Sequence, residues 1–115
     1  MAIKAKAVAK YIRSSAQKAR LVADEVRGKK VGEALNLLQF SVQKMVSRDV
    51  AKVIKSAVAN LEDVNSDLNV DTDNLVIETI CVDEGPVLKR FTPMSQGRAG
   101  RIIKRMCHIS VTVSQ

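Results

Sequence analysis

Two runs of strand-type sequence near the end of the chain, LVIETICVD (residues 75–83) and HISVTVSQ (residues 108–115), are joined by a segment that constrains the fold more than any other. Residues 85–105 read GPVLKRFTPMSQGRAGRIIKR, with six bases, no acid, three glycines, two prolines and several large apolar side chains. The segment is too charged for a core and too apolar for a plain flexible linker. If the flanking runs form a hairpin through it, each arm extends roughly 30 Å beyond the sheet at about 3.3 Å per residue. A ribbon of two strands has no core of its own and is marginal in water. Such geometry makes sense only where something surrounds it.

The charge is segregated along the chain. Residues 1–60 hold 13 Lys/Arg and 4 Asp/Glu, residues 61–84 hold 8 acids and no base, and residues 85–115 hold 6 bases and no acid, giving +7 for the 115 residues. Two basic blocks separated by an acidic one suit a polyanion bound at defined places. The length suits one domain, residues 1–115, with a globular body (1–82 and 106–115) and an extended arm over about 83–105. Only one Tyr and two Phe are present, so Val, Ile, Leu and Ala must build the core. The N-terminus lacks the apolar stretch of a secretory signal. No apolar run approaches the roughly 20 residues of a membrane span. Cys81 and Cys107 make no C-x-x-C, which points to reduced thiols in a cytoplasmic protein.

Upstream of the hairpin the periodicity changes. In AIKAKAVAKYI, Ile3, Ala5, Ala7, Ala9 and Tyr11 alternate with Lys4, Lys6 and Lys10, which favours a strand with a basic outer face. An Ala/Lys-rich helix competes. Ser14 with Gln17 fits a capping box, Ala19, Val22, Ala23 and Val26 form a helical stripe, and Gly28 stops it. A short helix fits residues 31–40, burying Val31, Leu35 and Leu38. A long one fits residues 42–61 with Val46, Val50, Val53, Ile54, Ala57 and Leu61 inward. The acidic stretch EDVNSDLNVDTDN, residues 62–74, reads as a mobile connection. The order β–α–α–α–β–β predicts an α+β fold, with three helices packed on a small antiparallel sheet and a long protruding hairpin.

Enzymatic chemistry finds little purchase. His108 is the single histidine, without a Ser/Asp partner pattern, and reads as a strand residue. Ligands for a zinc site are lacking. Asp83 and Glu84 could bind a cation but better mark the bend before Gly85-Pro86. Gly28-Lys29-Lys30 lacks the upstream glycine of a phosphate loop. No catalytic residue, metal or cofactor is expected. Two basic clusters remain. One is on the arm, Lys89, Arg90, Arg98, Arg101, Lys104 and Arg105, where Arg forks match phosphates. The other surrounds the first helix, Arg13, Lys18, Arg20, Arg27, Lys29 and Lys30, with Lys4, Lys6 and Lys10 on the strand before it. Scarce aromatics argue against stacking single-stranded bases and favour shape and phosphate contacts to folded RNA. A free-standing DNA-binding regulator would need a recognition helix and usually a dimer interface, and neither is evident. Because the numbers of Cys81 and Cys107 average to 94, inside an expected turn at residues 92–97, the two are expected to face each other across the hairpin.

Two stretches carry a resemblance: RSSAQKARLVADEVRGKKVGEAL, residues 13–35, and VDEGPVLKRFTPMSQGRAGRIIKRMCHISV, residues 82–111. Together they resemble the bacterial large-subunit ribosomal protein twenty-two family, over essentially the whole chain. The resemblance implies a non-enzymatic protein that binds 23S ribosomal RNA, touches several RNA domains and supports subunit assembly. It implies no membrane and no homo-oligomer. The body would sit near the outer end of the nascent-peptide exit tunnel. The hairpin would run inward, its tip lining the tunnel beside ribosomal protein four and the nascent polypeptide, in the neighbourhood where macrolide antibiotics bind. By position, the family's helix-one signature falls on Ser14, Ser15, Lys18 and Arg20. Its tip motif falls on Lys89-Arg90 and Pro93, and its returning basic arm on Gly97-Arg98-Ala99 through Arg105. The implied tunnel-lining tip comprises Leu88, Lys89, Arg90, Phe91, Thr92, Pro93, Met94, Ser95, Gln96 and Gly97. Where the family usually carries further bases this chain has Met94, Ser95 and Gln96, so the turn is expected to be nearly neutral.

Overall fold

The computed structural model describes residues 4–64 and 74–115. Most of the acidic connection expected at residues 62–74 therefore lies outside the described residues, as does Ile3. At the N-terminus alternation prevails over Ala/Lys helix propensity: Lys4–Ile12 form β1. There follow α1 (Ala16–Val26), α2 (Val31–Gln39), α3 (Lys44–Val64), β2 (Val76–Pro93) and β3 (Ala99–Ser114). The strands make one antiparallel sheet in the order β1-β3-β2. This is the expected α+β fold.

One face of the sheet is the core. Ala7 of β1, Ile77, Ile80 and Val82 of β2, and Cys107, Ile109, Val111 and Val113 of β3 are buried beneath the helices. α1 contributes Ala19, Val22, Ala23 and Val26, and α3 contributes Val46, Val50, Val53, Ile54, Ala57 and Leu61, all buried as their spacing predicts. The β-branched content of α3 lowers its intrinsic helicity, and this packed stripe makes up the difference. α3 begins two residues later than its periodicity suggested, because Val42 stands 93% exposed outside the stripe. α1 is capped one residue later than expected. The Ser15 hydroxyl accepts from the Lys18 N–H at 3.4 Å, while Ser14 donates to the Ser15 carbonyl. At the other end Gly28 takes φ +78°, the left-handed turn that ends the helix, and its N–H bonds the Ile77 carbonyl.

Three irregularities shape the sheet. Between Ala9 and Ile12 of β1 the register shifts, with Tyr11 at φ +59°. Tyr11 was expected on the core face. It is 61% exposed instead, and Ile12 takes the place opposite Cys107. The Tyr11 N–H donates to His108 Nδ1 at 3.0 Å and the two rings meet edge to face at 5.1 Å, so His108 braces the bulge. In β2 one shift falls between Ile77 and Thr79 and another between Glu84 and Val87, where Gly85 and Pro86 stand opposite Met106 alone. A proline inside a strand belongs at such a bulge, having no N–H for the ladder.

Beyond that bulge β2 and β3 run on together to Pro93 opposite Ala99. The radius of gyration is 17.4 Å and the long axis 67 Å, against a radius of about 13 Å for a compact chain of this length. The turn is a short 3-10 segment at Ser95–Gly97, closed by the Met94 N–H to the Arg98 carbonyl at 2.6 Å. It is centred on Gln96, two residues past the expected midpoint. That displacement and the one-residue bulge separate the cysteines. Cys81 pairs with Ser110 on the open face of the sheet, and Cys107 pairs with Glu84 on the core face. The expected cross-strand cysteine pair does not exist.

Candidate nucleic-acid interface

The arm's sequence mixes bases and apolar residues without evident period, and the register gives that mixture an order. Val87 faces Arg105, Leu88 faces Lys104, Lys89 faces Ile103, Arg90 faces Ile102 and Phe91 faces Arg101. Each of these consecutive pairs joins one base to one apolar side chain. Because directly opposite residues share a face and successive residues alternate, Arg105, Lys89 and Arg101 lie on one face of the ribbon and Lys104 and Arg90 on the other. The first face is open, with Phe91 70% exposed and Val87 and Ile103 also exposed. On the second, Leu88 and Ile102 are half-buried. Toward the tip the pairs become neutral, Thr92 with Gly100 and Pro93 with Ala99. Met94 folds back over Gly100, where an added Cβ would stand 2.6 Å from the methionine methyl.

The body and the arm meet in a basic crook. A cleft of about 500 Å³ is lined by Ser15, Gln17, Arg20, Glu84, Gly85 and Arg105 among others. Beside it, one of about 580 Å³ is lined by Arg13, Lys18, Leu88, Arg90, Lys104 and Arg105 among others. The start of α1 opens here with no acid in its first turn, so the positive end of its dipole adds to the same field. Two clusters read separately from the sequence, the α1 bases and the returning arm, thus form one surface.

Other expected residues are placed differently. Arg27, Lys29 and Lys30 lie at the far end of α1, where the Lys29 carbonyl accepts from Ile77 and Lys30 bridges to Val76 at the start of β2. They are not part of the crook. Lys4, Lys6 and Lys10 occupy the open face of β1, and Lys4 pairs with Glu78 at 2.8 Å. Arg98 is exposed beside the turn. Arg20 and Arg27 already have work within the fold. β2 is an edge strand, and Arg20 donates to the Val82 carbonyl at 3.1 and 3.3 Å while Arg27 donates to the Ile80 carbonyl at 3.0 Å. With the Gly28 N–H on Ile77, α1 covers the outward carbonyls of this edge and blocks pairing with another chain. No sequence pattern signals this use of two arginines. It depends on α1 lying along β2. Among the described residues no cluster of three or more His, Cys, Asp or Glu could hold a metal ion. Burial, with Asp49 nearby, raises the Cys107 thiol above its ordinary pKa.

Fold and charge together define a small basic α+β protein built around a projecting ribbon that lacks a core. Residues 7–114 match the family described as ribosomal protein L22p/L17e, and the chain belongs to that family. It is accordingly a structural protein of the large ribosomal subunit, in a family that is not enzymatic.

Proposed function

We propose that the chain binds 23S ribosomal RNA through the crook and through both faces of its arm. The arm runs between RNA segments, and its neutral tip around Met94, Ser95 and Gln96 forms part of the nascent-peptide tunnel wall, close to ribosomal protein four. The observation that carries this reading is the row of base–apolar pairs from Val87/Arg105 to Phe91/Arg101. A ribbon lying on a single surface would need its bases on one face. This one offers phosphate contacts on two, with apolar side chains between them to pack on sugars and bases. In the cytoplasmic ribosome such a segment becomes rigid only once RNA encloses it, which suits a protein that joins the subunit during assembly and holds several RNA domains together.

The test is binding to RNA extracted from large ribosomal subunits, measured across a salt series, for the wild type and for a variant with the six arm bases changed to Gln. Six lost phosphate contacts lower the log–log salt slope by about 4–5, at about 0.7–0.9 each. An equal slope for the two proteins sinks the proposal. For the tip, a photo-crosslinker at Gln96 in assembled ribosomes is expected to capture a stalled nascent chain, and capture of RNA alone would exclude tunnel lining. In intact subunits the protein stays bound through a high-salt wash.

A further inference from the structure

The core stripe of α3 hides a second pattern on the same helix. Lys44, Arg48, Lys52 and Lys55 lie at i, i+4, i+8 and i+11, all exposed. At 3.6 residues per turn they fall within about 80° of one another and span about 16 Å of helix. We infer that this stripe, with the groove beside it, is a second RNA-backbone site, separate from the crook and arm. The inference rests on the ribosomal reading above and extends it to a surface that reading leaves unused.

Three observations support the assignment. First, none of the four bases pairs with a carboxylate among the described residues, whose ion pairs are Lys4–Glu78 and Arg27–Asp24. Asp49, on the same helix, pairs with none of them, and its charge is felt at Cys107, whose pKa it helps to raise. Like charges at i, i+4 oppose helix formation, and the chain places them so twice, at Lys44/Arg48 and Arg48/Lys52. A polyanion along the stripe reverses the sign of that interaction. Second, the stripe borders an open groove of about 640 Å³ between α2 and α3, lined by Lys44, Arg48 and Lys55 with Asn36 and Gln39 opposite. Bases on one wall and amides on the other suit phosphate oxygens and ribose hydroxyls. Acids enter only past Lys55, where Glu33 and Glu62 line the next cleft with Lys30. Third, the placement is complementary. α1 lies against β2 and α3 against β1, at the other edge of the sheet. With RNA on both, the body bridges two RNA segments and the arm is one of its two attachments. A protein partner fits less well, because lysine is depleted in the centres of protein–protein interfaces.

The probe is RNA extracted from large ribosomal subunits, and the readout is the salt slope of binding for three proteins. These are the wild type, a stripe variant (Lys44→Gln, Arg48→Gln, Lys52→Gln, Lys55→Gln) and the arm variant. The stripe variant is expected to lose about 3 units of slope, at about 0.7–0.9 per contact. A charge-keeping variant (Lys44→Arg, Arg48→Lys, Lys52→Arg, Lys55→Arg) keeps the wild-type slope. In assembled subunits a crosslinker at Lys52 captures RNA. If the stripe variant matches the wild type while the arm variant loses slope, this second site is refuted and the crook-and-arm reading stands. Capture of protein at Lys52 likewise overturns it. If the wild type itself shows no salt dependence, the RNA reading as a whole fails.

Discussion

Arg20 and Lys18 stand two residues apart on α1, both at the crook, and the structure assigns them different work. Arg20 holds the Val82 carbonyl through Nε and Nη2. Lys18 has an exposed side chain and lines the cleft that includes Arg90 and Lys104. Hydrogen bonds from a charged donor contribute about 1.5–3 kcal/mol. Because Arg20 is exposed, the low end, about 1.5 kcal/mol, is the expected cost of Arg20→Ala. With an unfolding entropy of about 2.1 cal/mol/K per residue, the chain has about 240 cal/mol/K at its midpoint, so Tm falls by about 6 °C. Lys18→Ala removes no side-chain hydrogen bond or ion pair among the described residues and shifts stability by no more than about 0.5 kcal/mol, or about 2 °C. In RNA binding the order reverses, since Lys18→Ala lowers the salt slope by about 0.7–0.9, while Arg20→Ala, measured well below its Tm, changes it less. Thermal melts by circular dichroism and filter binding over a salt series read the two effects separately. If Arg20→Ala leaves Tm unchanged and lowers the slope as much as Lys18→Ala, the division of labour is wrong and the edge-covering bonds are incidental.

Further outcomes follow from the core. The Ser47 hydroxyl, on α3, is buried without a hydrogen-bond partner among the described residues, so Ser47→Ala is expected to raise stability by about 1 kcal/mol, read from urea unfolding. For the thiols, Cys81 is exposed and Cys107 buried on the other face of the sheet, so a thiol reagent labels Cys81 in the native protein and Cys107 only on unfolding, and mild oxidation forms no intramolecular disulfide. The raised pKa of Cys107 means that the folded state keeps this proton where the unfolded state releases it. Its contribution is complete below the ordinary thiol pKa and is lost as pH rises above it, so stability falls on the alkaline side, and Cys107→Ser flattens that fall.

Much of the fold was legible because most of the signals are local and periodic. The stripe of α3 survives almost residue for residue, since a helix that must bury one face offers little freedom in choosing it. β1 was legible by alternation up to Ala9. Past it, the left-handed residue at Tyr11 breaks the period, and the contact that supports it, His108, is distant in sequence. The hairpin was legible as a hairpin but not in register. A turn displaced by two residues moves every partner by four, and the bulge at Gly85-Pro86 takes one step back, so Cys81 meets Ser110, three residues from Cys107 and on the opposite face. The candidate site divides in the same way. Its bases were visible in the composition of the arm, but the crook joins α1 to β3 across the whole chain, and base–apolar pairing exists only between strands. The basic stripe on α3 is present in the spacing of its bases, but the apolar stripe alone accounts for the helix, so the sequence does not single it out.

The bulge also fixes where the arm points, and that can be tested without touching a charge. A Cβ on Gly85 would stand 3.2 Å from the backbone C and O of Met106 and 3.3 Å from His108 Cε1. A backbone cannot swing aside as a side chain can, so Gly85→Ala must part β2 from β3 locally, by a few tenths of an ångström. Taking about 0.3 Å against a strand spacing of about 4.8 Å, the arm turns by about 3–4°, and over roughly 30 Å its tip moves by about 2 Å. Every base is retained, so the salt slope should stay at the wild-type value. Affinity should fall, because several contacts on two faces can no longer be made together by an arm that leaves the body at another angle. Gly100→Ala is the matched control: its Cβ meets only the flexible end of Met94, which can move, so the arm keeps its direction and RNA affinity is unchanged. If Gly85→Ala binds as tightly as the wild type, the arm is aimed by the RNA and not by its bulge. Equal losses at Gly85 and Gly100 would instead point to general loosening of the ribbon.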